Sequence, residues 1–253
     1  MANDLKAIIL DGTAQTRNRL GQPIGSALPG WTPPARPERA PIDGRFCRLE
    51  PLDAGRHAAE LYEANGLDQE QRMWTYLSYG PFEDFEQYVA WIQAASESSD
   101  PLFFAVVESH SNRAAGVVSF LRIDPPSGSI EVGHLAFSPR LQQTPAATEA
   151  MFLMMKRAFE LGYRRYEWKC DALNAPSRGA ALRLGFSFEG VFRQATVYKQ
   201  RSRDTAWYSI LDREWPLLEP AFMRWLAAEN FDADGKQKTR LSDLTAAIRG
   251  PSI

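Results

Sequence analysis

Glu131 and His134 share the run I-E-V-G-H, so a carboxylate and an imidazole stand close together on one short segment. Both side chains can exchange protons, although either can be an ordinary strand residue, solvent-facing or satisfied in place. Further on, the run C-D-A-L-N-A-P-S places Asn174 and Ser177 at N-x-x-S spacing. A hydroxyl there can approach a reacting atom as a proton donor, and the same two side chains can cap a helix. Between these runs lies Arg140-Leu141-Gln142-Gln143-Thr144-Pro145-Ala146-Ala147-Thr148, just ahead of an amphipathic stretch. Backbone N–H groups at a helix N-terminus, aided by the helix dipole, suit a phosphate. Gln142, Gln143, Thr144, Ala146, Ala147 and Thr148 are the candidate ligands, and Pro145, which has no N–H, can only pre-set the first turn. Arg140 adds a flexible cation nearby. Tyr198 opens the basic stretch Y-K-Q-R-S-R-D, which is either a solvated loop or an attraction for an acidic or phosphate-bearing molecule.

The elements that must carry these residues can be read from periodicity. Residues 1–43 contain Pro23, Pro29, Pro33, Pro34, Pro37 and Pro41 and read as an extended arm, with Ile24 and Trp31 as anchors. Strands are expected at Arg45–Glu50, Leu102–Glu108, Gly116–Ile123 and Ser129–Phe137, the last three forming an antiparallel meander. Helices are expected at Ala54–Asn65 and Phe82–Ala95. From Ala147 to Tyr163 the apolar residues fall on one helical face, with Glu149 among those falling elsewhere. Tyr166 to Asp171 alternates, with Tyr166, Trp168 and Cys170 facing one way. A short helix from Pro176 to Gly185, strands at Phe186–Phe192 and Thr205–Leu211, and a helix from Trp215 to Glu229 complete the pattern. Arg193 to Arg203 reads as a long connection, and the end of the chain as a polar tail. The helix from Ala147 joins two strands and favours a parallel crossover.

The order of loop, helix, strand, N-x-x-S elbow and closing strand over Pro139–Gly190 resembles the GNAT (GCN5-related) N-acetyltransferases. Within them it is similar to the branch that acetylates ribosomal-protein N-termini at alanine or serine. The match extends more weakly over about Gly44 to Trp215. The resemblance implies an α+β fold with a mixed, mostly antiparallel twisted sheet flanked by helices. It divides the chain into an arm (1–43), a catalytic domain (44–214) and a C-terminal helix with tail (215–253). It also implies acetyl-CoA as cosubstrate, a primary amine as acceptor (a protein N-terminus or a small amine) and direct transfer. In its terms Glu131 is the general base, with His134 the alternative, and Ser177 is the acid or sulfur neighbour, with Tyr198 the alternative. Leu135, Ala136 and Phe137 offer backbone to the pantetheine arm, and Asn174 bridges the cofactor amides. The aromatics Trp74, Tyr76 and Tyr79 fall in the region that usually shapes the acceptor slot. The chain departs from the family where Gln143 and Pro145 stand in place of two loop glycines. That departure keeps open a non-catalytic acyl-CoA sensor, and a longer acyl group such as succinyl is a further alternative.

Composition narrows the setting. The chain has 253 residues and a formal net charge of −2, which gives no pull toward nucleic acid or an anionic membrane. No apolar run reaches the about 18 residues of a membrane span, and Ala7–Leu10 is too short for a signal peptide. Cys47 and Cys170 form no C-x-x-C pair, no metal-ligand spacing is present, and two buried free thiols in a reducing cytoplasm are expected. Either extension, arm or C-terminal helix, could pack against a second subunit in a homodimer.

Overall fold

The structure, a computed structural model, describes residues 16–246 and 248; the apolar stretch 7–10 lies outside them. The chain divides into two compact units, Met1–Thr32 and Pro33–Ile253. In the first, β1 (Thr16–Arg17) pairs with β2 (Pro23–Ile24) across a turn held by Asn18, whose Oδ1 accepts from the N–H groups of Leu20 and Gln22. Ile24 is exposed there.

The second unit is built on one sheet. Its strands are β3 (Ile42–Asp43), β4 (Cys47–Pro51), β5 (Leu102–Glu108), β6 (Arg113–Asp124), β7 (Ser129–Phe137), β8 (Arg165–Asp171), β9 (Ser187–Tyr198) and β10 (Arg201–Leu211). They lie in the order β3-β4-β5-β6-β7-β8-β10-β9, antiparallel except where β8 runs parallel to β7. The helices are α1 (Ala54–Asn65), α2 (Phe85–Glu97), α3 (Pro145–Glu160), α4 (Ala175–Arg183), α5 (Trp215–Leu226) and α6 (Leu241–Ala246). The fold is thus the expected α+β arrangement, with α3 as the crossover between the parallel strands.

The sheet is covered on both faces, and β5 shows why its sequence L-F-F-A-V-V is apolar without alternation. Leu102, Phe104 and Val106 join the core that includes α3 and α5, while Phe103, Ala105 and Val107 join the smaller core under α1 and α2. Asp53 and Asp84 start α1 and α2 by accepting the N–H of Arg56 and of Gln87. That cap starts α2 at Phe85, three residues later than periodicity suggests, and frees Phe82 to pack edge-on against Trp74.

Several expectations need correction. The stretch 193–203 is not a long connection: β9 and β10 run on to a two-residue turn, Lys199-Gln200, with φ of 47° and 59°. Paired left-handed residues match the right-handed twist of a hairpin, so strand pairing carried the chain through residues that looked like loop. The tail is not wholly polar, because Leu241 is buried and opens α6. Glu149 is not on a solvated face. It is 5% exposed, and its carboxylate accepts the backbone N–H groups of Arg45 (2.9 Å), Phe46 (2.5 Å) and Cys47 (2.9 Å).

Candidate active site

β7 and β8 are in register only from Ser129–Arg165 to Val132–Trp168 and are unpaired beyond that point. β7 is also irregular against β6: Val117 pairs with Ala136, but Ser119 pairs with Gly133, so one extra β7 residue is pushed out of the ladder. His134 sits in this bulge with φ of 51°. The parting of the strands opens a cavity of about 500 Å³. Glu131, His134, Leu135, Asn174, Ser177 and Tyr198 all line it, so the topology gathers candidates widely separated in the chain. Ala136 and Phe137 do not line the cavity; they continue the pairing with β6, Ala136 buried and Phe137 half-buried.

Glu131 is buried at the point where the strands part. Its Oε2 pairs with Arg122 Nη1 (2.6 Å) and Lys169 Nζ (2.9 Å), while Oε1 takes no bond among the described residues. Lys169 also reaches Glu167 (2.7 Å) and lies 3.8 Å above the Trp207 ring. These cations hold the carboxylate through one oxygen only. His134 is stacked on Tyr79 (5.6 Å between ring centres) and lies 5.1 Å from Phe103. Burial, and secondarily the nearby Arg122 charge, lower its pKa to about 4. It is therefore a neutral aromatic wall at ordinary pH and a weak base.

The elbow is set by Asn174, which caps α4: its Oδ1 accepts the N–H of Ser177 at 3.1 Å. The amide nitrogen of Asn174 stays uncommitted among the described residues. Ser177 Oγ accepts from Trp168 Nε1 at 3.0 Å, and its hydroxyl also interacts with the neighbouring Cys170 thiol. Tyr198 donates to Asp171 Oδ2 at 2.9 Å. Burial first, then this carboxylate, push the phenol up to about 12, so Tyr198 keeps its proton.

Beyond β7 the chain turns into α3. Thr144 caps the helix, accepting from Ala147 N–H (3.2 Å) and donating to Leu141 O (2.7 Å). Gln142 Nε2 donates to Phe137 O at 2.8 Å. Both side chains are thus occupied in shaping the loop. Gln143 has φ of 61°, the conformation that glycine adopts most readily. The N–H groups of Gln143 and Ala146 have no acceptor among the described residues, whereas that of Thr148 bonds to Thr144 O. Arg183 reaches Thr148 Oγ1 (2.9 Å) and brings a cation to this helix start. Arg140 instead binds Glu108 (2.8 Å). The loop residues Gln142, Gln143, Thr144, Ala146, Ala147 and Thr148 lie outside the cavity, past the end of β7.

Sequence reasoning missed the cations on Glu131, the Asp171 partner of Tyr198, and the role of Glu149. The alternation of Glu167, Lys169 and Asp171 was visible, but only the β7–β8 register brings Lys169 to Glu131. Among the described residues no group of three or more His, Cys, Asp or Glu is placed to hold a metal, and no helix is long and apolar enough to cross a membrane. Cys47 and Cys170 are free and buried.

The family model "Acetyltransferase (GNAT) domain" matches residues 47–187. A GCN5-related N-acetyltransferase from Brucella melitensis is 48% identical, with a TM-score of 0.85, over 87% of this chain and 100% of that one. A GNAT-family protein from Chromobacterium violaceum is 44% identical, with a TM-score of 0.72, over 77% of this chain and 98% of that one. The ribosomal L7/L12 alpha-N-protein acetyltransferase RimL, at 20% identity and a TM-score of 0.57 over 66% of this chain and 91% of that one, shares the fold. No curated protein matches the chain.

Proposed function

Since the chain belongs to the GNAT family of acetyltransferases and is an acyltransferase, we propose that it moves an acetyl group from acetyl-CoA directly to a primary amine. The observation that carries this reading is the parting of β7 and β8 beyond Val132 and Trp168, with Glu131, Asn174 and Ser177 around the resulting cavity.

The residues present fit an acyl-CoA. The free N–H groups of Gln143 and Ala146, with Arg183 beside them, suit a diphosphate at the start of α3. Leu135, Ala136 and Phe137 lie on a strand that has lost its β8 partner, where an amide-bearing arm can pair as an added strand. Asn174 offers its free amide nitrogen to a carbonyl of that arm. The thioester supplies the activated acyl group. Oε1 of Glu131 receives the amine proton, directly or through one water, and Ser177 gives its hydroxyl proton to the departing sulfur. A carbon–nitrogen bond forms and the carbon–sulfur bond breaks; Glu131 then gives its proton to water and Ser177 recovers one from water, so the net change is one proton from nitrogen to sulfur. Tyr198 retains its proton and is the second candidate acid. Loop shape in place of the two glycines comes from Gln143 in its left-handed conformation and from the side-chain bonds of Gln142 and Thr144. The amine is a protein N-terminus or a small molecule.

The test follows free thiol from acetyl-CoA with and without mixed amines. Amine-dependent release supports transfer. Tight coenzyme A binding without such release would replace it with an acyl-CoA sensor.

A further inference from the structure

Arg203 lines the cavity from β10, and its Nε is shut off from solvent with no acceptor among the described residues. Its guanidinium makes no ion pair among the described residues; the Tyr198 ring lies 5.9 Å from Cζ, and the Cys170 thiol is also close enough to feel its charge. Trp207, on the same strand and the same wall, has an indole Nε1 that is likewise buried without an acceptor. The other cations at the cavity are engaged, Arg122 with Glu131 and Lys169 with Glu131 and Glu167. The Nη groups of Arg203 also carry no bond among the described residues but are not shut off, so this wall of the cavity holds donors that nothing in the fold satisfies and that suit a ligand's oxygen atoms. The planar fork of a guanidinium matches a carboxylate.

Register places this wall relative to the chemistry. Trp207 lies opposite Lys169 and Thr205 opposite Asp171, so Arg203 stands further out than either, away from Glu131. Phe192 and Val197 of β9, at the same end, also line the cavity and are exposed, which makes this the open side. A molecule entering there would reach Glu131 with one end while the other lay along Trp207 and Arg203.

We propose that the accepted amine carries a carboxylate, and that Arg203 and Trp207 hold it and thereby select the substrate. This inference rests on the acetyl-transfer reading above and narrows its acceptor class. It assigns Arg203 to specificity and to no part of the proton transfers.

The experiment compares free amino acids with their carboxamides as acceptors for acetyl-CoA. The wild-type protein is expected to prefer the acids. Arg203→Met should lower kcat/KM for the acids on the order of 10- to 100-fold while leaving the amides within about threefold. Trp207→Phe, which keeps the ring under Lys169, should give a smaller loss on the same substrates. Unchanged circular dichroism and coenzyme A affinity would show that the variants are folded. Equal effects on acids and amides, or a preference for amides, would overturn the proposal. So would an Arg203 dependence seen only with succinyl-CoA and amide acceptors, which would put the carboxylate on the acyl donor. If no amine is acetylated, the transfer reading fails separately, and calorimetry with the same acids and amides decides this one. Acid-selective binding lost in Arg203→Met upholds the anion site, and its absence in the wild type sinks it.

Discussion

Glu131 is held by two cations on one oxygen and is open on the other, so its charge is fixed while its reach toward a ligand is kept. Glu131→Gln removes the proton acceptor without deleting the side chain. Lys169 retains Glu167, and Arg122 is largely exposed, so neither cation is left buried and alone. Turnover is expected to fall on the order of 10²–10⁴-fold with the fold intact; steady-state rates with acetyl-CoA and a good amine check this, and unchanged kinetics would remove Glu131 from the mechanism. His134 makes a different prediction. Its pKa is lowered from 6.5 to about 4 by burial and by Arg122, so between those values the unfolded chain binds a proton that the folded state does not. Stability contributed at this site is complete above the unfolded value and falls as the pH drops through that window. His134→Gln should flatten that part of the profile, by about 3 kcal/mol at most, in urea titrations run across the window.

The elements show where sequence reading succeeds and where it stops. α1, β5 and β7 have the bounds that periodicity and turn residues indicate, because each has a strong local cap or an apolar pattern of fixed period. The hairpin of β9 and β10 was not legible: Lys199 and Gln200 are poor formers of a left-handed turn, and the cross-strand pairing that imposes it is a tertiary fact. Gln200→Gly should therefore stabilise the protein by about 0.5–1 kcal/mol, read from the urea midpoint at constant slope. The loop ahead of α3 was legible as an anion site by position but not in detail. Its Gln142 and Thr144 side chains turn inward to shape it, and Gln143 takes the conformation expected of glycine. Thr144→Glu places a negative charge at the helix start and should weaken coenzyme A binding at least about tenfold by calorimetry; equal affinity would move the phosphate elsewhere.

At the scale of the molecule, the carboxylate of Glu149 ties the N-terminal part of α3 to the backbone leading into β4. Gly44 allows this, since a Cβ there would stand 2.6 Å from Glu149 Oε2. Glu149→Gln turns an amide donor toward backbone donors and should cost about 2–4 kcal/mol, measured by denaturant unfolding. Nothing local in the sequence marks this contact, because its partners lie about a hundred positions apart. The candidate site divides in the same way: the resemblance supplied the residue types, while the charge partners of Glu131 and the unpaired Arg203 depend on register. The sheet's two margins have a consequence of their own. One margin is the two-residue β3; the other is β9, long and mostly exposed, but bent by irregular pairing with β10 and by Gly190 and Gln194 at positive φ. A stray strand would find no straight length of open backbone to zip onto at either border, which guards crowded copies of the protein against fibril growth.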